Sequence, residues 1–575
     1  MFKLRKYLKG YWGRFFIGPL FKFLEAVFEL IVPLVMIKIM DVGIVNNDTN
    51  YIWKMGLVLF ILGVVGLCFS LTCQYFASVV SQGFAKNLRH DLFKHINEIS
   101  FSDIDKYGTS HLITRITNDI YQAQTGIAYV MRLVVRSPFI VVGSIVAAVL
   151  IDPVLGIVFC VIGPIISVLL IVILSYITKQ FKKIQKRLDH ISLVSRENLS
   201  GVRVVRSFSK QEEEIERFED SNEEFTKANL RVSKIQAYLN PLTFALINIA
   251  IVFIMYYGGL RVDSGYITQG ELIAFINYMN QVSVAVVAMA NLFVLLSKGN
   301  ASSERIYSLL SIEPKIISGL KAFDKESQVT VQFQDVFLNY TNSNDDELEN
   351  ITFTLNKGEM VGIIGGTGSG KSSIINMIPR FYDAKSGIVK VSGIDVKEMN
   401  LQSLRENIGI VPQKSVLYSG TVASNLKWGK SDATVEEMTQ ALKIAQAYDF
   451  VMEKEDKLDT VVLRGGKNFS GGQKQRLCIA RALIRKPSIL ILDDSSSALD
   501  FKTDRDLRMS LRENLKDQTV IIVTQRCTSI MDCDKILVID DGKIEGIGTH
   551  EELLKTSKVY QDTYYSQVKE GKSDE

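Results

Sequence analysis

The signatures of a cross-linked or zinc-stabilised fold are missing from this chain of 575 residues. Its 6 cysteines, Cys68, Cys73, Cys160, Cys478, Cys527 and Cys533, fall inside apolar runs or are scattered through the C-terminal half. They lack disulfide or zinc-ligand spacing and read as packing residues in a reducing or membrane setting. The 5 histidines show no metal spacing either. Lys3, Arg5, Lys6 and Lys9 are not followed by a short apolar segment ending at a small-residue cleavage site, so no cleaved signal peptide is expected.

The most informative absence is local. With 47% hydrophobic residues, 22% charged residues and a formal net charge of +4, the whole chain sits near globular averages, which excludes disordered, collagen-like and coiled-coil classes. A mean hydropathy of +0.16 at that charge content means that apolar and charged residues are segregated along the chain. Residues 55–85, 235–260 and 272–297 contain no Asp, Glu, Lys or Arg, and residues 137–178 contain only Asp152. A bilayer core about 30 Å thick needs roughly 20 apolar residues in a helix. The first three runs can therefore cross once and the fourth twice, turning at Asp152-Pro153, where a charge meets a helix-ending residue. A less clean run over residues 15–40 completes six expected spans.

Basic residues orient them. The N-terminal arm and residues 86–136 and 179–234 are rich in Lys and Arg, while the opposite loops are short and carry few. Both termini are expected to be cytoplasmic. Basic clusters such as residues 179–187 are explained by this topology, so no nucleic-acid partner is expected. In the first span, Glu25 and Glu29 share one helix face that should avoid lipid. Either they line a cavity and meet a cationic substrate, or they pair with Lys22 or a neighbouring helix. Phe275, Tyr278, Met279 and Phe293 of the sixth span are equally open to cavity lining or helix packing.

Past Ser297 the composition becomes mixed and polar, and glycine-rich chemistry follows. Residues 361–364 read as a buried strand. Gly365, Gly366, Thr367, Gly368, Ser369, Gly370, Lys371 and Ser372 then fit the phosphate-binding loop pattern, and Ser373 continues into a helix. Glycines let backbone amides close around phosphates at a helix N-terminus, Lys371 reaches the β and γ phosphates of ATP, and the Ser372 hydroxyl can ligate Mg²⁺. A second apolar strand, residues 488–492, ends in Asp493 and Asp494. Asp493 is suited to hold Mg²⁺ through water, and the next carboxylate to sit near the γ-phosphate.

With these motifs and Asn468-Phe-Ser-Gly-Gly-Gln-Lys-Gln-Arg476 between them, the sequence resembles the ATP-binding cassette transporters over nearly its whole length. The resemblance implies an all-α six-helix transmembrane domain of type I exporter fold over residues 1–310 and a linker over 311–328. An α/β P-loop nucleotide-binding domain then covers 329–575. By the same resemblance, Tyr340 stacks on adenine and Gln413 senses Mg²⁺ and couples to the membrane domain. Ser470, Gly471, Gly472 and Gln473 form an intact signature motif, and Ser497-Ala-Leu-Asp500 is the loop at the dimer interface. Residues 101–119, with Asp103, Gly108, Arg115 and Asp119, and residues 202–218 look like the two intracellular loops that dock on the cassettes. His550 falls in a cassette segment common to the family and reads as structural. In this family each ATP lies between the phosphate loop of one cassette and the signature of the other, so a second chain is implied.

Two positions depart from the pattern. The residue after Asp493 is usually Glu, the base that polarises attacking water, and here it is Asp494; the usual switch histidine is Gln525. Losing one methylene draws the carboxylate back about 1.5 Å, and a misplacement of about 1 Å can cost about 100-fold in rate. Glutamine can bond a phosphate oxygen but carries no proton or charge. The stretch 463–467 also lacks a glutamate common there. The pattern is similar to the subunit of heterodimeric multidrug-type exporters that builds a degenerate site. Its own site would bind ATP but hydrolyse it poorly, while its signature completes a competent site on a half-transporter with intact Glu and His. Expected cargo is amphipathic, drug-like small molecules crossing the lipid bilayer of the cell membrane. Alternatives are a lipid or peptide exporter, a slow homodimer, or an ATP-gated channel or regulator.

Overall fold

The computed structural model describes residues 2–340 and 346–571. The chain forms two compact units: Thr109–Ile312 with the residues before Glu98, and Glu98–Gly108 with the chain from Glu313 onward.

The first unit is helical. Six runs are present among the described residues: Trp12–Lys38, Thr49–Glu98, Thr109–Ile151, Pro153–Ser207, Gln211–Asp263 and Gln269–Leu310. The third is interrupted by a π turn at Arg115–Asp119 and by Val134 and Val135. Thr49–Glu98, Thr109–Ile151, Gln211–Asp263 and Gln269–Leu310 are each long and apolar enough to cross a membrane. Helices of 50, 55, 53 and 42 residues reach roughly 60–80 Å, more than twice the bilayer core. Each therefore carries its apolar run on into a polar extension. On Thr49–Glu98 the buried side follows helical spacing through Cys73, Ala77, Val80, Phe84 and Leu88, while Leu57, Phe60 and Leu67 are exposed. An apolar outer face of this extent suits lipid and not water.

Asp152 shows how the sharp turn is made. It caps the helix Pro153–Ser207 by accepting from the Leu155 amide at 2.9 Å, with Pro153 at a first-turn position that needs no amide donor. Its other oxygen takes Arg261 Nη2 at 2.6 Å, so the charge at this bend is buried as an ion pair. Asp119, also buried, accepts from Arg115 (2.7 Å), Ser302 (3.0 Å) and Arg305, tying the third run to the sixth.

The second unit is α/β. A six-stranded sheet has the order Lys543–Gly548, Lys535–Asp540, Met360–Ile364, Thr519–Thr524, Ile489–Asp493, Ile408–Val411, and all but the first of these run parallel. Its central strands are buried on both faces, which is why they read as continuous apolar runs. An antiparallel sheet of Leu348–Asn356, Val329–Leu338, Ser386–Val391 and Ile394–Asp395 accompanies it. Within 311–328, expected as a linker, Gly319 and Lys321 donate backbone bonds to Met399 and Glu398 at 2.8 and 3.0 Å. Residues 319–321 thus lie along an edge of the second unit, where their backbone groups find partners.

Candidate functional site

The site is built at the C-terminal ends of the parallel strands, where open α/β sheets place ligands. The strand Met360–Ile364 runs into residues 365–370, and the helix Lys371–Met377 follows. Gly368 and Gly370 have φ of 83° and 96°, left-handed conformations that favour glycine. Gly365 is required for closeness: a Cβ there would lie 2.1 Å from the Ile539 carbonyl oxygen. Gly365→Ala is accordingly expected to displace the loop and weaken ATP binding by about tenfold or more, by analogy with overpacking costs of about 1–3 kcal/mol. A fluorescent ATP analogue titrated against the purified variant checks this.

Gly366, Thr367, Gly368 and Ser372 are exposed at the loop mouth, whereas Ser369, Gly370, Lys371 and Ser373 are buried. Lys371 Nζ donates to the Gly365 and Gly366 carbonyls at 2.9 and 2.5 Å. Burial lowers its pKa against the opposing pull of Asp493 and Asp494. Asp493, two strands away from the loop strand, brings Oδ2 to 3.5 Å from Ser372 Oγ. Burial, and after it the Asp494 charge, raises the Asp493 pKa from its ordinary value. A polyphosphate and its cation supply to these groups the charge stabilisation that burial removes. The donors fit Mg²⁺: Ser372 and Asp493 are hard oxygen ligands, and an ion that keeps water and phosphate ligands needs only one or two protein groups.

Asp494 is held by its backbone. It has φ of 44°, its amide donates to Val523 O at 2.9 Å, and its carbonyl accepts from Ser497 Oγ at 3.0 Å. Its carboxylate accepts from Gln413 Nε2 at 3.4 Å, which brings those two sequence-derived residues together. Gln525 is exposed, and its carbonyl accepts from Gln567 Nε2 at 2.7 Å. The hydroxyls of Tyr340 and Ser373 lie 2.9 Å apart, and the Tyr340 ring meets Tyr382 edge-on at 5.1 Å. Tyr382 in turn donates to Asp105 at 2.6 Å, and Phe101 packs on Phe381 at 4.5 Å. Burial and the Asp105 carboxylate raise the Tyr382 pKa.

Ser470 caps the helix Gly471–Leu483 in a reciprocal box with Gln473: Gln473 N donates to Ser470 Oγ at 3.3 Å and Ser470 N to Gln473 Oε1 at 3.0 Å. Ser470 and Gly471 are exposed at that N-terminus, whose free amides and dipole suit an anion. A Cβ on Gly472 would lie 2.9 Å from Ala498 O. Sequence reasoning assigned no part to Gln475 or Gln567. Buried Gln475 reaches the Asp494 carbonyl at 3.5 Å and accepts from Ala498 N at 3.3 Å, and Gln567 also accepts from Cys527 N at 2.9 Å. Gln475 follows Gly472 by three residues on the same helix, a spacing that puts it on the face of the signature motif, whereas no sequence pattern marks Gln567. His550 Nδ1 lies 2.7 Å from the Tyr560 hydroxyl.

In the first unit, Lys22 pairs with Glu25 at 2.6 Å and donates to Ser70 Oγ at 3.3 Å. Arg136 pairs with Glu29 at 2.9 Å. Both carboxylates have cationic partners. Phe275, Tyr278 and Met279 are fully buried, whereas Phe293 is exposed.

Residues 15–286 match the ABC transporter transmembrane region and residues 348–497 the ABC transporter family. A Bacillus subtilis protein described as the uncharacterized ABC transporter ATP-binding protein YfiB is 34% identical over 99% of this chain and 98% of its own length. The chain is an ABC transporter. Another relative, an uncharacterized ABC transporter ATP-binding protein of Mycobacterium tuberculosis, is 37% identical over 98% of this chain and 97% of its own. An ATP-dependent lipid A-core flippase of Hahella chejuensis is 30% identical over 86% and 85%. A bacterial Atm1-family ABC exporter solved with ATP bound shares the fold, with a TM-score of 0.80 over 98% of both chains at 23% identity. The transporter thus has a half-transporter architecture, a multi-pass membrane domain followed by an ATPase domain coupled to transport.

Proposed function

We propose that this transporter is the degenerate-site subunit of a heterodimeric exporter, using alternating access to move amphipathic small molecules out of the cell. Both termini and the ATP-binding domain face the cytoplasm. Lys371, Ser372, Asp493 and Gln413 hold MgATP with Tyr340 against the adenine, while Ser470 to Gln473 complete the hydrolytic site of the partner. The observation that carries this reading is Asp494. Its amide and carbonyl are both tied, at 2.9 Å to Val523 and 3.0 Å to Ser497, so backbone movement does not recover the missing methylene. Gln525 adds a second loss, since it cannot donate from a charged ring.

The full chain purified alone is expected to hydrolyse ATP at least about 100-fold more slowly than when joined to a half-transporter bearing the usual Glu and His. Turnover by the single chain at an ordinary enzyme rate of about 1–10 per second, with substrate accumulation in vesicles, would overturn the reading. A lipid cargo is a second reading, favoured by the 30% identity to a lipid A-core flippase. Stimulation of the reconstituted pair's ATPase by lipids, and not by amphipathic drugs, distinguishes it.

A further inference from the structure

We propose that a basic cleft between the helices Pro153–Ser207 and Gln211–Asp263 binds the phosphate headgroup of an anionic phospholipid. The cleft has a volume of about 290 Å³, at the lower end of the roughly 300–1,000 Å³ typical of ligand sites. That is room for a headgroup and little more. Lys183 and Arg187 enter from one helix and Arg231 from the other, with Gln180 and Tyr176 beside them. Residues 180, 183, 184 and 187 share a helix face by spacing, as do 228, 231, 232 and 235. The floor is apolar: Ile184 and Val232 are buried against Ile177.

The charge arrangement is what asks for a ligand. Among the described residues no carboxylate lines the cleft, whereas three solvent-exposed basic side chains do, so the cleft presents net positive charge to an incoming anion. Farther out on the same hairpin three cations have carboxylate partners. Lys210 meets Glu213, Arg217 meets Glu197 at 2.8 Å, and Lys227 meets Glu223 at 2.6 Å. Arg187 gives one guanidinium nitrogen to the Glu224 carbonyl at 2.6 Å and keeps the rest of its fork, which suits phosphate oxygens.

Depth identifies the source. The charge-free runs end at residue 178 on one helix and begin at 235 on the other. At about 1.5 Å per residue, Lys183 and Arg231 lie roughly 6–8 Å beyond the apolar boundary, the depth of the headgroup layer. Arg187 lies about one turn farther out, within reach of its long side chain. Basic pockets between transmembrane helices at this depth recognise anionic lipid headgroups. A free phosphate shares the chemistry but has no reason to favour this depth.

The test uses the full-length protein in detergent, titrated separately with phosphatidylglycerol, phosphatidylcholine and inorganic phosphate, with bound species counted by native mass spectrometry. Phosphatidylglycerol is expected to bind preferentially, and the Lys183→Gln, Arg187→Gln, Arg231→Gln triple variant to bind it at least about tenfold more weakly. The control triple Lys210→Gln, Arg217→Gln, Lys227→Gln removes the same charge from paired positions and should leave lipid binding unchanged. An unchanged helical circular-dichroism signal and thermal transition of the detergent-solubilised protein report that each variant is folded. Should the first triple not fold, Arg231→Gln alone is expected to lose about threefold or more. Equal loss in the control, or no loss in the cleft variants, overturns the site; inorganic phosphate binding as tightly as phosphatidylglycerol overturns the lipid as its occupant.

Discussion

Asp494→Glu combined with Gln525→His is expected to raise ATP turnover by about 100-fold or more in a heterodimer whose partner has been silenced by replacing its own catalytic glutamate with Gln. In that background only the site formed by Lys371, Asp493 and Asp494 remains to hydrolyse ATP. The substitution restores the missing methylene without moving the chain, because the Asp494 amide stays bonded to Val523 O at 2.9 Å. Asp494→Glu alone should recover a base but not the switch, so it should give the smaller part of the gain. Gln525→His alone should give less still, since a histidine without a placed base has no water to act on. The measurement is steady-state phosphate release with Mg²⁺ present. A double variant no faster than its parent would show that the site is slow for a reason other than these side chains, and the degenerate-site reading would fail.

The second expectation is an asymmetry between the two motifs of one chain. In the proposed heterodimer, Gly472→Asp should lower turnover by about 100–1,000-fold, the range found when a preorganised donor to a developing charge is removed. Any side chain there meets Ala498 O, 2.9 Å from the position of its Cβ, and a carboxylate adds negative charge where the helix N-terminus would face phosphate. Lys371→Ala should lower ATP affinity at this chain's own loop yet leave overall turnover within about tenfold, because the proposed function assigns hydrolysis to the other site. Measuring turnover and ATP-analogue binding for both variants separates the two effects. If Lys371→Ala is the more damaging to turnover, the assignment of hydrolysis to the partner's site is wrong.

Much of the architecture is legible from residue order alone, because the relevant physics is local. The thickness of a bilayer sets how long a run must stay uncharged, so residues 55–85, 235–260 and 272–297 announce membrane helices. The phosphate loop is equally legible, since a few consecutive glycines and one lysine shape a turn with its amides pointing inward. Lys22 and Glu25 share a helix face by spacing, so their pair was within reach. Arg136 as the partner of Glu29 was not, being 107 residues away: which cation arrives depends on how two helices are rotated and packed. Ser372 and Asp493, 121 residues apart, meet because the strand leading to the Ser372 helix and the strand ending in Asp493 lie two apart in the sheet. Residues 98–108 belong to the second compact unit, although the chain runs through the first on either side. Gln475, Gln567 and the basic cleft follow the same logic: ordinary residues acquire a role only when separate elements converge. Contacts within a turn are written in the spacing of neighbouring residues, whereas contacts between elements are the sum of many weak, distant interactions that no short stretch encodes.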